Sequence, residues 1–493
     1  MSDGEYEISA RRITTVIGLT GLVVAGSLSL VSAQTPTSDF ASAAGRLEDR
    51  VTALEMAVID LDARLAALEA PTVTTTTLIS TTTTEANTTT TTPTTTTAAT
   101  TTTTATTTTT TAPPSGCIGV QVAGSANLVS VAAANPVGTT FCLAPATFVL
   151  SGPVVAKQGQ QFIGSLGSQG ERLSIVSGGD VVRQFLSCTC PDVTLVNIVI
   201  ERFASTVVEN TNTQEGVFSG SFPRMVVINV ESRFNWGAGI VTHDGAVVQD
   251  SFVHDNRWHG FIGQGNDVLI EGNEISYNNC LDLFNWGWSG GGSKWVSADG
   301  LIVRDNWAHH NGGPGLWTDG DNSGILYEDN RVEDNHGPGI MHEIGGSAII
   351  RNNTLTGNAH GNAGNACDNR QGFGYGGGIL IPDSHDVEVY GNTLSGNDGG
   401  IVQINDARGV GHDARNNWVH DNDISQTSGG YPVAGCLDNE AGDNCYLTSY
   451  NNRFSGNRYH VLGYTATPFY WLNARRTFVQ WRGYGFDLTG SID

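Results

Sequence analysis

Lysine is almost missing from this chain. Lys157 and Lys294 are the only two in 493 residues, and 24 basic side chains face 48 acidic ones, for a net charge of −24. The imbalance persists in residues 117–493, which carry 19 basic and 37 acidic side chains, a net −18. A surface that acidic repels nucleic acid and anionic lipid, so no nucleic-acid partner is expected. It also disfavours polyanionic sugars unless bound cations offset the charge. Few candidates remain for a lysine base.

Charge is also missing from Ile13 to Ala33, directly after Arg11 and Arg12. The stretch is long enough to span a bilayer, and Val31-Ser32-Ala33 before Gln34 fits a signal-peptidase site. Residues 1–33 therefore read as a cleaved signal peptide or a single-pass membrane anchor. Either places the remainder outside the cytoplasm, at a cell surface or beyond it. Leu47, Val51, Leu54, Val58, Leu61, Leu65 and Leu68 follow at alternating spacings of four and three. This heptad seam predicts a short coiled coil over 44–70 and a homo-oligomer through residues 47–68. Residues 72–111 hold 29 threonines in 40 positions. Such a tract buries no core, so 71–116 is expected to be an extended linker reaching about 130 Å at ~3.3 Å per residue. The order is membrane-proximal segment, oligomerising helix, stalk and head.

In an exported chain eight cysteines point to disulfides before metal ligands. Cys117/Cys142 could close the first part of the head and Cys436/Cys445 a loop. Cys280 and Cys367 fall in or beside insertions. Cys188 and Cys190 are expected on one strand face and too strained to pair with each other.

The head is organised by asparagine. Asn273/Asn278, Asn306/Asn311, Asn330/Asn335, Asn353/Asn358, Asn392/Asn397, Asn417/Asn422 and Asn452/Asn457 repeat a five-residue spacing, with a degenerate copy at Ser251/Asn256. First members are separated by 22 to 25 residues where no insertion intervenes. That period predicts a solenoid of short strands, a β-helix over 117–493. Each Asn is expected to tolerate left-handed backbone at a corner and to bond the matching Asn one coil away. Residues five and three before the first Asn (Val268/Ile270, Leu301/Val303, Ile325/Tyr327, Val387/Val389) and two after it (Ile275, Val332, Leu355, Leu394, Val419) are read as core.

The short apolar segments Gly138-Thr-Thr-Phe141-Cys142-Leu, Phe148-Val-Leu-Ser-Gly-Pro and Gln161-Phe-Ile-Gly164, with the repeat from about 192 to 463, resemble right-handed parallel β-helix proteins. That superfamily includes pectate lyases, polygalacturonases and alginate epimerases. The resemblance implies an all-β, single-stranded right-handed parallel β-helix and is weak for any one reaction. Phe478 to Asp487 breaks the period and is expected to cover the last coil.

A second strand follows each Asn pair: Gly239-Ile-Val-Thr-His243, Gly260-Phe-Ile-Gly-Gln264, Gly315-Leu-Trp-Thr-Asp319, Gly339-Ile-Met-His-Glu343, Gly378-Ile-Leu-Ile-Pro382 and Gly400-Ile-Val-Gln-Ile404. Alternation turns the third and fifth residues outward. Asp319 and Glu343 are thus expected as stacked carboxylates about 4.8 Å apart, a pair suited to acid/base work on a glycosidic bond or, with Asp321, to holding Ca²⁺. His243 and His342 are candidate auxiliary bases, although His342 falls at an inward position and also reads as an interior histidine. Asp319-Gly320-Asp321-Asn322 also reads as a turn.

Two insertions, 282–295 and 360–370, are expected at opposite edges of the sheet, walling a groove. Trp286, Trp288, Trp295 and Trp317 would stack on sugar rings there, with Lys294 and Arg370 on the two walls. The resemblance and this site imply a surface-displayed enzyme acting on polysaccharide, a glycoside hydrolase or lyase. The other reading is a non-catalytic glycan-binding or adhesive module, with the coiled coil supplying avidity.

Overall fold

The computed structural model describes residues 116–204, 217–281, 289–359, 367, 377–406, 408–409, 411–426, 430–439, 444–461 and 465–493. Residues 1–33, 44–70 and 72–111 lie outside that set, as do Trp286, Trp288 and Arg370. Among the described residues no helix is long and apolar enough to cross a membrane.

Most strands are only three to five residues long, and each turns one or two side chains into the interior. One buried apolar residue per three-residue strand cannot stabilise a coil alone, so each coil depends on its neighbours. Strands of successive coils pair in parallel and in register. Val248, Ile270, Val303, Tyr327, Ile350, Val389, Val419 and Phe454 form one interior column. Val253, Ile275, Ala308, Val332, Leu355, Leu394, Ile424 and Tyr459 form a second. All sixteen side chains are buried. Each Val, Ile or Leu among them contributes about 1.5–3 kcal/mol of transfer free energy. The stack builds two 13-stranded sheets and a third face of three and then ten strands. The last pairing, Phe469–Trp471 with Ala474–Arg476, is antiparallel. The fold is an all-β parallel β-helix.

The asparagines form the expected ladders. The backbone N–H and Nδ2 of Asn306 both donate to Oδ1 of Asn330 at 3.0 Å. Asn330 repeats the pattern onto Asn353 at 3.0 and 2.9 Å. Two details differ from expectation. The left-handed residue is the one before the ladder Asn, as at Asp305, Asp329, Asp334 and Asn352, with φ of 49–57°. The ladder Asn itself spends its amide on the next coil. The ladder also runs Asn392, Asn422, Asn457, so the second members of the last two pairs stack on the first member of the earlier one. Asn417 and Asn452 occupy the preceding corner, and Val419 lies in the first column, not the second. A three-residue strand separates both corners, so five-residue spacing alone does not identify which corner a pair occupies. The ladder ends on Asp487, whose Oδ1 accepts from Asn457 N–H and Nδ2 at 3.1 and 2.9 Å.

Both ends are closed by short helices. Leu128–Ala134 buries Leu128 and Ala132, and the Asn127 side chain caps Ser130 N–H at 3.1 Å. Phe478–Gly483 starts on a capping box between Thr477 and Gln480 and buries Trp481 against Phe454, Phe469 and Phe486. The segment 478–487 therefore covers the last coil as expected.

Four disulfides are present: Cys117–Cys142, Cys188–Cys190, Cys280–Cys367 and Cys436–Cys445. The second corrects the expectation that Cys188 and Cys190 could not pair. Their strand ends at Thr189, so the backbone between them is not held fully extended. The Cα separation is 5.5 Å, within the ordinary disulfide span.

Candidate functional site

Strand Leu316–Asp319 pairs with Ile340–Glu343 so that Asp319 stands opposite Glu343. Leu316, Thr318, Ile340 and His342 alternate into the interior, which leaves Trp317, Asp319, Met341 and Glu343 on the outer face. Lys294, on the strand Gly291–Val296 of the coil before, reaches across this face. Its Nζ lies 2.7 Å from Asp319 Oδ2 and 3.7 Å from the centroid of the Trp317 ring. On the other side Arg408 Nη2 is 3.2 Å from Glu343 Oε1, and its Nε is 3.9 Å from Asp383 Oδ2. The site is a file of ionisable groups in the order Lys294, Asp319, Glu343, Arg408, Asp383, with the carboxyl groups of Asp319 and Glu343 on adjacent strands.

Burial decides the electrostatics. Glu343 is 7 % exposed, and desolvation, followed by the Asp319 charge, pushes its pKa up to about 8 against the pull of Lys294 and Arg408. The Trp317 indole also favours the charged form of Glu343, but its buried N–H falls short of hydrogen-bond geometry. Asp383 is fully buried, and desolvation raises it to about 8 despite the hydrogen bond from Asp406 N–H at 2.6 Å. Two carboxyl groups that resist ionisation thus flank one guanidinium, while Asp319 is ion-paired with Lys294.

Several sequence-derived candidates move elsewhere. His342 is an interior residue. Its Nε2 donates to Gly346 O at 3.0 Å, so its Nδ1 accepts from Thr318 Oγ1 at 2.8 Å, and that hydroxyl accepts from Tyr327. Both ring nitrogens are spent, and burial holds its pKa down at about 4. His243 is in the same outer column as Asp319 but three coils away, roughly 14 Å at one strand spacing per coil. It is buried, and its pKa is likewise lowered to about 4 by desolvation.

Trp295 points inward and passes over Gly263 to donate to Thr242 Oγ1 at 3.2 Å, so it is core and not a sugar platform. Trp317 is on the expected face, but it is 1 % exposed and Lys294 sits on its ring. Asp321 is a left-handed corner residue 3.7 Å from His412. Among the described residues no group of three His, Cys, Asp or Glu is disposed to hold a metal ion. The cations beside Asp319 and Glu343 are the protein's own Lys294 and Arg408.

The insertions are also rearranged. The first precedes strand Gly291–Val296, which itself contains Lys294 and Trp295. Both insertions therefore leave the same corner, between the second sheet and the site sheet. The Cys280–Cys367 disulfide ties them together at a Cα separation of 4.4 Å. The described strands flanking each insertion place both at one corner rather than at opposite edges. Arg408 supplies the other side, from a loop after strand Ile401–Asn405. Sequence reasoning missed Arg408 and Asp383. Asp383 carried a signal, since it directly follows Pro382 in the outward column. Arg408 lies in a loop to which the repeat assigns no position.

Residues 216–372 match a family model described as right handed beta helix region. No curated protein matches the chain. Among solved structures, the A-module of the mannuronan C-5 epimerase AlgE4 from Azotobacter vinelandii is similar at 14 % identity, covering 77 % of this chain and 96 % of that one, with a TM-score of 0.47. The AlgE6 A-module from the same organism gives 13 % identity, the same coverage and 0.49. A thermostable GH87 alpha-1,3-glucanase from Streptomyces thermodiastaticus gives 13 % identity, 78 % and 69 % coverage and 0.44. The described strands form a parallel β-helix, of which the segment 216–372 matches that family model.

Proposed function

We propose that this protein is an exported, polysaccharide-acting enzyme of the glycoside hydrolase type, with Glu343 as general acid and Asp319 as its carboxylate partner. The observation that carries the reading is the contrast between two carboxyl groups on adjacent strands. Glu343 is desolvated, with a pKa of about 8, so it holds a proton at neutral pH and can deliver it to a glycosidic oxygen. Asp319, ion-paired with Lys294, supplies negative charge opposite a developing oxocarbenium ion. Strand spacing of about 4.8 Å suits the ~5–5.5 Å of a double displacement better than the wider gap that houses a water. Lys294 and Arg408 are committed to protein carboxylates, which favours hydrolysis over elimination from an acidic sugar. The acidic surface favours a neutral or weakly charged glycan.

Four disulfides support an extracellular or cell-surface location. In this reading residues 47–68 gather heads into an oligomer, and 13–33 lead the chain out of the cytoplasm as signal or anchor.

One observation favours the non-catalytic glycan-binding module instead. Both carboxylates already hold a cation and Glu343 is nearly buried, as in a structural ion cluster. Incubating a glycan panel with the wild-type chain and with E343Q and D319N separates the two. Products from wild type alone support the enzyme; glycan retention without products in all three supports the binding module.

A further inference from the structure

Asp383 has two connections that converge on one side chain. Its Oδ1 accepts from Asp406 N–H at 2.6 Å, and Asp406 O accepts from Arg408 N–H at 2.6 Å, which fixes the base of the loop that carries Arg408. Its Oδ2 is buried without a hydrogen-bond partner, and Arg408 Nε lies 3.9 Å away. The far end of the same guanidinium reaches Glu343 at 3.2 Å. Asp383 also adopts left-handed backbone, φ 48°, at the end of strand Ile379–Pro382. A fully buried acid with one oxygen left without a partner is costly to keep, by roughly 1–3 kcal/mol. Such a cost points to a role beyond packing.

We propose that Asp383 is a positioning residue of the site, which holds Arg408 between two carboxyl groups and so sets how strongly that guanidinium grips Glu343. The inference rests on the reading of Glu343 as the acid. The groups around Glu343 are Asp319 from the preceding strand, Lys294 from the strand before that, and Arg408 from the loop. Those around Asp383 are Asp406, Arg408 and Glu343. The repulsion between Glu343 and Asp383 is mutual, and Arg408 is shared. Over the pH range in which both acids ionise, a neutral group at 383 adds no charge to repel Glu343 or to compete for Arg408. Arg408 then no longer divides its charge with Asp383, and the charged form of Glu343 gains.

The test is a carboxyl ¹³C titration of the full chain labelled at glutamate, with the Glu343 resonance identified by its loss in E343Q. Asn at 383 keeps an acceptor for Asp406 N–H, so D383N removes the ionisable group and spares the loop. The expected result is a Glu343 midpoint lowered by about half a pH unit or more, a roughly threefold change in ionisation constant. The alkaline limb of glycan turnover should move down with it. A folded D383N whose midpoint stays within about 0.2 units of wild type overturns the proposal. If D383N does not fold, R408Q decides: its midpoint must rise, and an unmoved one overturns the proposal equally. Should the midpoint move although the wild-type chain turns over no glycan, the positioning role stands and the enzyme reading falls. Should E343Q abolish turnover while the midpoint ignores D383N, only the positioning role falls.

Discussion

Replacing Asn330 by Ala tests the ladder at its centre. The side chain makes four hydrogen bonds: Oδ1 accepts from Asn306 N–H and Nδ2, and Nδ2 donates to Val303 O at 2.8 Å and Asn353 Oδ1 at 2.9 Å. All partners are buried, so none is rescued by solvent. At about 1 kcal/mol for each bond the loss is ~4 kcal/mol, and more if the Asn306 donors stay unpaired. That is a large share of the ~5–15 kcal/mol that stabilises a typical domain. The residue before it, Asp329, already supplies the left-handed corner, so the substitution adds no backbone strain. The assay is chemical denaturation of the full chain followed by far-UV circular dichroism, with exposed Thr354→Ala as control. A loss for N330A no larger than that of T354A would refute the idea that the ladder, rather than the apolar columns alone, holds the coils in register.

Turnover of a susceptible glycan should decline as pH rises through about 8, where Glu343 gives up the proton it must deliver, and E343Q should remove that limb along with the activity. Replacing Cys280 and Cys367 by serine opens a link across a sequence separation of 87 and should lower stability by about 4 kcal/mol on the chain-entropy argument, read as a shifted denaturation midpoint. His243 and His342 are buried with pKa values lowered to about 4, so their contribution is present above the unfolded value of about 6.5 and lost as pH falls from there towards 4. His254 works oppositely: its raised pKa, set by burial against hydrogen bonds to Asp255 and Glu231, gives stability that is lost as pH rises through its folded value. H342Q should therefore flatten the acid side of a stability-against-pH curve, and an unchanged slope would contradict its neutral, interior state.

What the sequence made legible was whatever the coil period carries. A constant register placed Asp319 beside Glu343 and marked the interior columns, because parallel strands repeat one alternation from coil to coil. Whatever departs from the period was lost. An insertion hides where the period resumes before strand Gly291–Val296, which is why two insertions at one corner are expected from the sequence at opposite edges. Asn417 and Asn452 kept the spacing but not the corner. Trp295 is expected at the surface because the insertion hides its inward position in strand Gly291–Val296, and because Gly263 leaves interior room that only three dimensions reveal. Arg408 is fixed by a loop rather than by a strand. One recurring device also went unread: Phe252-Val-His254, Trp307-Ala-His309 and Trp418-Val-His420 each stack histidine on the aromatic two residues before, with Nε2 3.1–3.4 Å from Glu231, Glu274 and Glu388 respectively on the preceding coil. Its residues are close in sequence only in part, and the glutamate lies a full coil away.

The measurement that bears most directly on the account is product analysis of a glycan panel after incubation with the wild-type chain and with E343Q at neutral pH. The account predicts shortened products from at least one neutral or weakly charged polysaccharide with wild type, and a loss of at least about a hundredfold in E343Q, the lower range for removing a general acid. Undiminished turnover by E343Q, or no glycan altered by the wild-type chain, would contradict it.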